Sequence, residues 1–328
     1  MNNAIIYDYL TFTSKIHSHY YMIELLGLEN VHWEQRLGFY GYRDCLFFEN
    51  IRIHYNGRED MGVCVEMSGK GLRAWEQYGN SDYNLIFSLI LEHYSDNTDK
   101  REMNITRLDI AYDDFSGLID LDNLVFETQK LNFVSRFKDW QVVAGSKGSS
   151  VNHGSTSSSV YIRIYDKKAE QRRDDLEHWV RCEMQLRKNC ALGFIMNNEV
   201  VDRKFFDVLN NYLRYVVTSD NVTNKSMLLT APYWANFISS YNTTSIFYKP
   251  AFTYNFSNLH YYVTEHMSSA IATCIDILGV NQFLVDVNNS RKNKKLNERY
   301  KSIKEQYNAN SNAILEFLNE RDSNNERA

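Results

Sequence analysis

The sequence predicts an α+β fold, in which an antiparallel sheet is followed by a mainly helical C-terminal region. Short segments that alternate polar and apolar side chains recur over residues 38–187, and this period of two is typical of half-buried strands. Beyond Asn189 the apolar residues follow helical spacing instead. We therefore expect two domains in this 328-residue chain, over residues 1–220 and 221–328.

The N-terminal part is expected to begin with a helix and to continue as strands. Apolar residues at helical spacing predict a helix over Ser14–Leu26. An Asn56-Gly57 dipeptide between two alternating runs is typical of a tight hairpin turn. The predicted strands of this part are Phe39–Phe47, Ile51–Tyr55 and Gly62–Met67.

The same two periodicities define the remaining elements. A glycine turn at Gly69 and Gly71 opens the next helix, and the small-residue run His153–Ser159 is interpreted as a flexible loop. We expect, in chain order, helices over 72–77 and Tyr83–Tyr94, a strand over Ile105–Asp113, a helix over Leu121–Leu131, strands over 138–144 and 159–166, a helix over 167–177, a strand over 179–187 and an amphipathic helix over 290–320.

Composition narrows the class of protein. The five cysteines include no Cys-x-x-Cys pair, which favours a reducing cytoplasm and argues against structural zinc. Since no apolar run is long enough to span a bilayer, we expect a cytoplasmic protein without a membrane partner. The net charge is −5, but Arg291–Lys304 contains seven Lys or Arg and one acid, Glu298. This strip suits phosphate contacts, and a solvated helix face explains it equally well.

Three predicted strands each combine an apolar face with a face of acids and cations. Any one of them could be a strand with one face in solvent, but three together favour a polar cleft. Carboxylates at this density suit Mg²⁺ or Mn²⁺, and arginines suit phosphate oxygens. The residues that share a face are Arg107, Asp109 and Asp113 on one strand, Arg163, Tyr165 and Lys167 on the next, and Arg181, Glu183 and Arg187 on the last.

These motifs resemble the Rep-trans family, which contains rolling-circle initiators of small plasmids and related relaxases of conjugative transposons. The resemblance spans about residues 5–215 and leaves the choice between plasmid initiator and transposon relaxase open. Related nicking enzymes carry a paired-histidine metal motif that this family lacks, and His17 and His19 are interpreted here as surface residues. The resemblance rests on Met67–Arg73, Thr106–Ala111 with Asp113-Asp114, Gly154-Ser155, Arg163–Lys167 with Glu170, and Arg181 with Glu183.

The resemblance implies a DNA nicking and joining enzyme with a tyrosine nucleophile. Tyr165 would attack a phosphodiester and form a 5′-phosphotyrosine with a free 3′-hydroxyl, and Tyr161 on the same strand face is the fallback nucleophile. Arg163 and Lys167 would favour the phenolate. The remaining implied roles are metal binding by Asp109 and Glu183 with Asp113 as a third ligand, and phosphate contacts by Arg107, Arg181 and Arg187. We also expect DNA contacts from Ser155 in the serine-rich loop and from Lys292 and Lys295 in the basic strip.

The implied partner is single-stranded or hairpin DNA at a replication or transfer origin. Strand opening is expected to depend on a host helicase, and the resemblance favours a homodimer. A DNA-binding replication regulator that keeps the fold but does not cut is the alternative. Such a regulator would have no need of Tyr165, Asp109 and Glu183.

Overall fold

The computed structural model describes residues 2–97, 100–146, 148–197, 199–218, 224–238, 256–261, 263–264, 267–292 and 304. The chain divides into two compact units, Met1–Pro250 and Ala251–Ala328. The first unit contains all the strands of the described residues, and the second contains helices. The predicted fold class, an antiparallel sheet followed by helices, is confirmed. The assignment of separate roles to 1–220 and 221–328 stays a prediction.

The dominant element is a ten-stranded sheet in which every neighbouring pair is antiparallel. The strands are β1 (Ala4–Ser14), β2 (Glu34–Leu37), β3 (Asp44–Phe48), β4 (Ile51–Tyr55), β5 (Val63–Ser68), β6 (Met103–Asp114), β7 (Phe133–Ser135), β8 (Trp140–Gly145), β9 (Gly148–His153), β10 (Val160–Asp166), β11 (Val180–Arg187) and β12 (Leu213–Tyr215). Their order across the sheet is β2-β3-β4-β5-β1-β6-β11-β10-β9-β8, and β7 pairs with β12 in a separate small sheet.

The helices of the first unit are α1 (His19–Leu25), α2 (Gly69–Tyr78), α3 (Tyr83–Glu92), α4 (Leu121–Gln129), α5 (Lys167–Gln171), α6 (Asn189–Met196), α7 (Val201–Tyr212) and α8 (Pro232–Ile238). All of them except the short α5, which has no buried residue, pack buried side chains against one face of the sheet. Buried side chains such as Leu10, Ile110 and Met184 on the strands pack with Trp75 and Phe194 of the helices in a single core. The opposite face of the central strands is left for polar side chains.

The second unit contains α9 (Phe256–Tyr261), α10 (Ser268–Leu278) and α11 (Val280–Lys292) among its described residues. No single helix of the described chain is long and apolar enough to cross a membrane. The α10–α11 pair, bent by 115°, meets that test of length and composition only when its two helices are joined. Apart from Lys304, the predicted tail helix beyond residue 292 lies outside the described residues.

The structure corrects several predicted elements in the N-terminal part. Strand β1 was not predicted, and the first helix begins at His19, with Ser18 as its N-cap, rather than at Ser14. The β1 sequence AIIYDYLTFTS shows little alternation, because this central strand carries apolar or aromatic residues on both faces. The expected strand Phe39–Phe47 begins only at Asp44, because Tyr40 and Gly41 adopt positive φ in the turn between β2 and β3.

Two further corrections concern the elements around β10. The segment before the predicted loop His153–Ser159 forms strand β9, which pairs with both β8 and β10. The helix after β10 ends at Gln171 instead of residue 177, because Arg172 takes the left-handed conformation with φ 53°. The strands expected over Ile105–Asp113, 159–166 and 179–187 are confirmed within two residues at each end.

Candidate active site

The register of β6, β11 and β10 brings the polar side chains of these strands together on one sheet face. Tyr165 lies opposite Arg181, and Arg163 lies opposite Glu183. On its other side Arg181 lies opposite Asp113 of β6. Directly paired residues of antiparallel strands project to the same face, so the three strands form one continuous polar surface.

Tyr165 is held at the centre of this surface and is only 5% exposed. Its Oη donates a hydrogen bond to Oε2 of Glu183 at 3.1 Å. The guanidinium carbon of Arg163 lies 3.7 Å from the centre of the Tyr165 ring, and the Lys167 ammonium lies 5.4 Å from it. Burial, with the nearby Glu183 charge, raises the pKa of Tyr165, although Arg181 and Arg163 act to lower it. The expected depression of this pKa by the cations is therefore outweighed, and the side chain is a neutral phenol.

The short helix α5 places further charges beside the tyrosine. Asp166 caps this helix by accepting a hydrogen bond from the Ala169 N–H at 2.8 Å, so the chain turns directly after Tyr165. Glu170 then contacts the Lys167 ammonium and lies 3.3 Å from the Arg163 guanidinium. Both predicted catalytic cations are thus anchored by one carboxylate at the edge of the site.

Arg181 forms the buried centre of a second group of contacts. Its guanidinium binds both carboxylate oxygens of Asp113, each at 2.7 Å, and lies 3.0 Å from Asp8. The indole N–H of Trp179 donates to the same Asp113 at 2.7 Å. Asp113 therefore has both oxygens engaged by cationic or neutral donors. This arrangement fixes Arg181 next to Tyr165 with its charge compensated from two sides.

Asp109 lies on the same face of β6 and is 2% exposed. The Nε of Arg107 donates to Oδ1 of Asp109 at 2.9 Å, and the Arg107 guanidinium lies 4.0 Å from the ring centre of Tyr9. Burial raises the pKa of Asp109 to about 7; Arg107 opposes this rise, and the charge of Glu183 adds to it. A cation bound by both Asp109 and Glu183 would stabilise the ionised form of Asp109.

Arg187 and Ser155 lie at the far end of β10 and β11 from Tyr165. Arg187 is paired across the strands with Arg107, and its Nε is buried without a hydrogen-bond partner among the described residues. Ser155, in the loop between β9 and β10, contacts Ser157 at 2.9 Å. The two adjacent guanidinium groups favour an anion at this end of the sheet.

The two predicted DNA contacts of the C-terminal region belong to the second compact unit. Lys292 is exposed in the last turn of α11, in the second compact unit. Lys295 lies outside the described residues. Their roles stay predictions.

Comparison with known proteins identifies the family. The family described as "Replication initiation factor" matches residues 103–292, more than half of the 328-residue chain. The chain belongs to this family. A second family, "Rolling Circle replication initiation protein N-terminal domain", matches residues 4–91. The resemblance drawn from the motifs is therefore confirmed, and it extends over β1, which the motifs did not reveal.

Two relatives of this replication initiation factor support the assignment. A Bacillus subtilis (strain 168) protein named "Putative DNA relaxase NicK" is 26% identical over 262 residues, which is 74% of this chain and 73% of that protein. The solved structure of a rolling-circle replication initiator protein from Geobacillus stearothermophilus has a TM-score of 0.65 and 26% identity. It covers 72% of this chain and 96% of the initiator chain.

Divalent metal dependence is typical of this family, and the site offers part of a suitable ligand set. Asp109 and Glu183 supply the oxygen ligands that Mg²⁺ and Mn²⁺ prefer. One Glu183 oxygen accepts the Tyr165 hydroxyl, which leaves the other for a cation. In the part of the chain that the structure describes, no three His, Cys, Asp or Glu side chains form a complete metal cluster. Arg107 binds both oxygens of Asp109 and Arg181 binds both oxygens of Asp113, and the role of Asp113 as a third ligand stays a prediction.

Asp8 is the residue of the site that the sequence did not reveal. Its carboxylate contacts Arg181, and its charge contributes to the raised pKa of Asp109. Asp8 lies on β1, where the pairing with β6 shifts register between Tyr7 and Tyr9. No local pattern marks this residue, because its role depends on which strand lies beside β1.

Proposed function

We propose that this replication initiation factor cuts and rejoins one DNA strand at a rolling-circle origin, with Tyr165 as the nucleophile. The observation that carries the proposal is the contact between Tyr165 Oη and Glu183 Oε2, within a cluster of arginines. A structural tyrosine would not need an acidic proton acceptor and two flanking guanidinium groups. Phosphodiester transfer needs both.

In the proposed reaction, Glu183 takes the proton of Tyr165 as the phenol oxygen attacks phosphorus. A bond forms between Tyr165 Oη and phosphorus, and the bond between phosphorus and the 3′-oxygen breaks. The departing 3′-oxygen takes a proton and becomes a free 3′-hydroxyl, and the 5′-phosphate stays on the tyrosine. The reverse transfer reseals the strand, because the phosphodiester energy is kept in the phosphotyrosine bond.

The arginines of the site have separate proposed roles. Arg163 and Arg181 flank the tyrosine and would stabilise charge on the phosphoryl oxygens in the transition state. Arg107 and Arg187 lie further along the strands and would hold a neighbouring phosphate of the same DNA. A divalent ion between Asp109 and Glu183 would polarise the phosphoryl oxygen when bound.

The proposal also includes the partners of the protein. DNA at an origin is the partner expected from the family. A host helicase and a second copy of the chain stay predictions, as does the participation of Lys292 and Lys295 in sequence recognition.

The test is a nicking assay on supercoiled DNA that carries the origin of the parent element, with Mg²⁺ or Mn²⁺. We expect the wild-type protein and Tyr161→Phe to convert the DNA to the open circle. Tyr165→Phe should bind the same DNA but leave it supercoiled. Binding without nicking by the wild-type protein would instead support the non-catalytic regulator.

A further inference from the structure

The ten-stranded sheet consists of two halves with the same order of elements. The first half runs β1, α1, β2 to β5 and α2, and the second runs β6, α4, β8 to β11 and α6, with β7 and α5 as insertions that the first half lacks. In each half the last strand returns to pair with the first, and β1 and β6 meet as antiparallel neighbours in the centre. A pseudo-twofold axis normal to the sheet therefore relates the two halves.

The strand register identifies equivalent residues in the two halves. Arg52 of β4 lies opposite Glu66 of β5, just as Arg163 of β10 lies opposite Glu183 of β11. The two arginine–glutamate contacts are alike, with closest N–O distances of 3.4 Å and 3.8 Å. The pairing through β1 and β6 places both pairs on the same face of the sheet. The first half thus contains a counterpart of the catalytic arginine–glutamate pair.

His54 occupies the position of the nucleophile in this counterpart. It follows Arg52 by two residues, as Tyr165 follows Arg163, and therefore lies on the same face. Its Nε2 lies 3.8 Å from Oε2 of Glu66. The His54 side chain is fully buried, and its Nε2 has no hydrogen-bond partner within the described residues.

The counterpart lacks the residues that would make it a nuclease. Tyr9 stands where Asp109 stands in the second half, and the two are directly paired at the pseudo-twofold axis. Cys64 lies opposite His54, where Arg181 lies opposite Tyr165. Of the two carboxylates, Asp109 and Glu183, only Glu183 has a carboxylate at its equivalent position, which is Glu66. No tyrosine stands at the position equivalent to Tyr165. The first half therefore keeps an arginine that can bind an anion but lacks the side chains that would cut DNA.

The surface beside Arg52 has features that suit an unpaired DNA strand. A cavity of about 620 Å³ is lined by Arg36, Phe39, Asp44, Cys45 and Arg52, among others. Tyr40, in the turn between β2 and β3, is 70% exposed, and Phe39 beside it is also exposed. Exposed aromatic rings next to guanidinium groups bind bases by stacking and phosphates by charge.

We propose that the N-terminal half carries a second DNA site, which holds a phosphodiester of the origin DNA at Arg52 without cutting it. This inference rests on the proposed function of the Tyr165 site. Five strand spacings separate β4 from β10, so the two sites lie about 24 Å apart on one sheet face. The twofold axis orients the two sites in opposite directions along the sheet. The second site would therefore bind a DNA segment that runs antiparallel to the cut DNA strand, as in the opposite arm of a hairpin.

The test compares two DNA ligands in proteins that cannot cut, so that binding is measured independently of nicking. In a Tyr165→Phe background, we add either Arg52→Lys or Tyr40→Ala and measure affinity for a hairpin with both arms and for the cut strand alone. We expect each variant to lose about tenfold or more in affinity for the hairpin and to bind the single strand as the parent does. Arg58→Ala and Tyr20→Ala, at exposed positions away from the cavity, serve as matched controls.

Three outcomes would overturn the proposal: unchanged hairpin affinity, equal losses on both ligands, or equal losses in the control variants. The same changes in a protein that retains Tyr165 should leave cleavage of the short single strand unchanged. If the wild-type protein fails to cut that strand, the proposed function fails. In that case the binding comparison still tests the second site, because it does not depend on cutting. Circular dichroism of each variant verifies that a loss of affinity does not come from unfolding.

Discussion

Glu183 accepts a hydrogen bond from the Tyr165 hydroxyl at 3.1 Å, and the same oxygen lies 3.8 Å from the Arg163 guanidinium. One carboxylate thus contacts both the proposed nucleophile and the cation that would stabilise the phosphate. Burial raises the pKa of Tyr165, so the hydroxyl needs an acceptor for its proton at neutral pH. Glu183 is the group placed to act as that acceptor.

Replacing Glu183 with Gln should slow nicking by on the order of 100-fold or more, because the amide cannot take the proton. DNA binding should change little, since Arg107 and Arg187 keep their positions. Single-turnover nicking and filter binding measure the two quantities. Glu170→Gln is the matched control, because Glu170 contacts Lys167 and Arg163 but not the tyrosine hydroxyl. Equal effects of the two changes would contradict the role of Glu183.

The two aspartates of β6 should respond differently to loss of charge. Asp109→Asn should raise the Mg²⁺ or Mn²⁺ concentration needed for half-maximal nicking, by about tenfold or more, because it removes a carboxylate ligand. Asp113→Asn should leave that concentration near the wild-type value, because Asp113 is held by Arg181 and also by the Trp179 N–H, whereas among the described residues Asp109 is held by Arg107 alone. A metal titration of the nicking rate measures both. Similar increases for the two changes would make Asp113 a third metal ligand beside Asp109 and Glu183, as the family resemblance implied.

Asp113 should instead matter for stability. Asp113→Ala leaves Arg181 buried with only Asp8 as a charged partner, and breaking a buried ion pair costs about 3–5 kcal/mol. Urea unfolding measures this loss in the free energy of unfolding. Asp60→Ala, which breaks an exposed pair with Arg58, should leave stability close to wild type. A small effect of Asp113→Ala would show that water or Asp8 compensates Arg181.

Stability should also depend on His153, which is buried with its Nε2 3.2 Å from the Tyr215 hydroxyl. Burial lowers the pKa of His153 to about 4, while the unfolded chain has a value near 6.5. The unfolded state therefore binds more protons between these values, and the free energy of unfolding falls as pH drops through that window. The loss contributed by this group is up to about 3 kcal/mol.

The measurement compares urea unfolding of wild type and His153→Gln at about pH 7.5 and about pH 5. We expect the wild type to lose more stability than the variant over this interval, because glutamine does not titrate. Other groups titrate in both proteins and cancel in the difference. Parallel losses in the two proteins would contradict a buried neutral His153.

Alternation along single strands was enough to predict much of the site. Arg163 and Tyr165 share a face because they are two residues apart, and the same holds for Arg181 and Glu183. Local sequence cannot specify which residue of the next strand lies opposite, so the contact of Asp113 with Arg181 was not predicted. The register of β6 and β11 decides this contact.

The missed features all depend on long-range pairing. Strand β1 lacks clear alternation because it is central, and Asp8 becomes part of the site only when β1 lies beside β6. Arg52 and Arg163 share the local sequence Ile-Arg-Ile, at 51–53 and 162–164, but so short a match does not show that the two strands are equivalent. The order and register of the whole sheet establish that relation.

The central claim is that Tyr165 becomes covalently joined to DNA. The most direct measurement incubates the protein with a single-stranded origin oligonucleotide and Mg²⁺ or Mn²⁺, separates the products on a denaturing gel and maps the adduct by mass spectrometry. The account predicts a 5′-phosphotyrosine on Tyr165, present in Tyr161→Phe and absent in Tyr165→Phe. An adduct on Tyr161, or cutting of the strand by Tyr165→Phe, would contradict it.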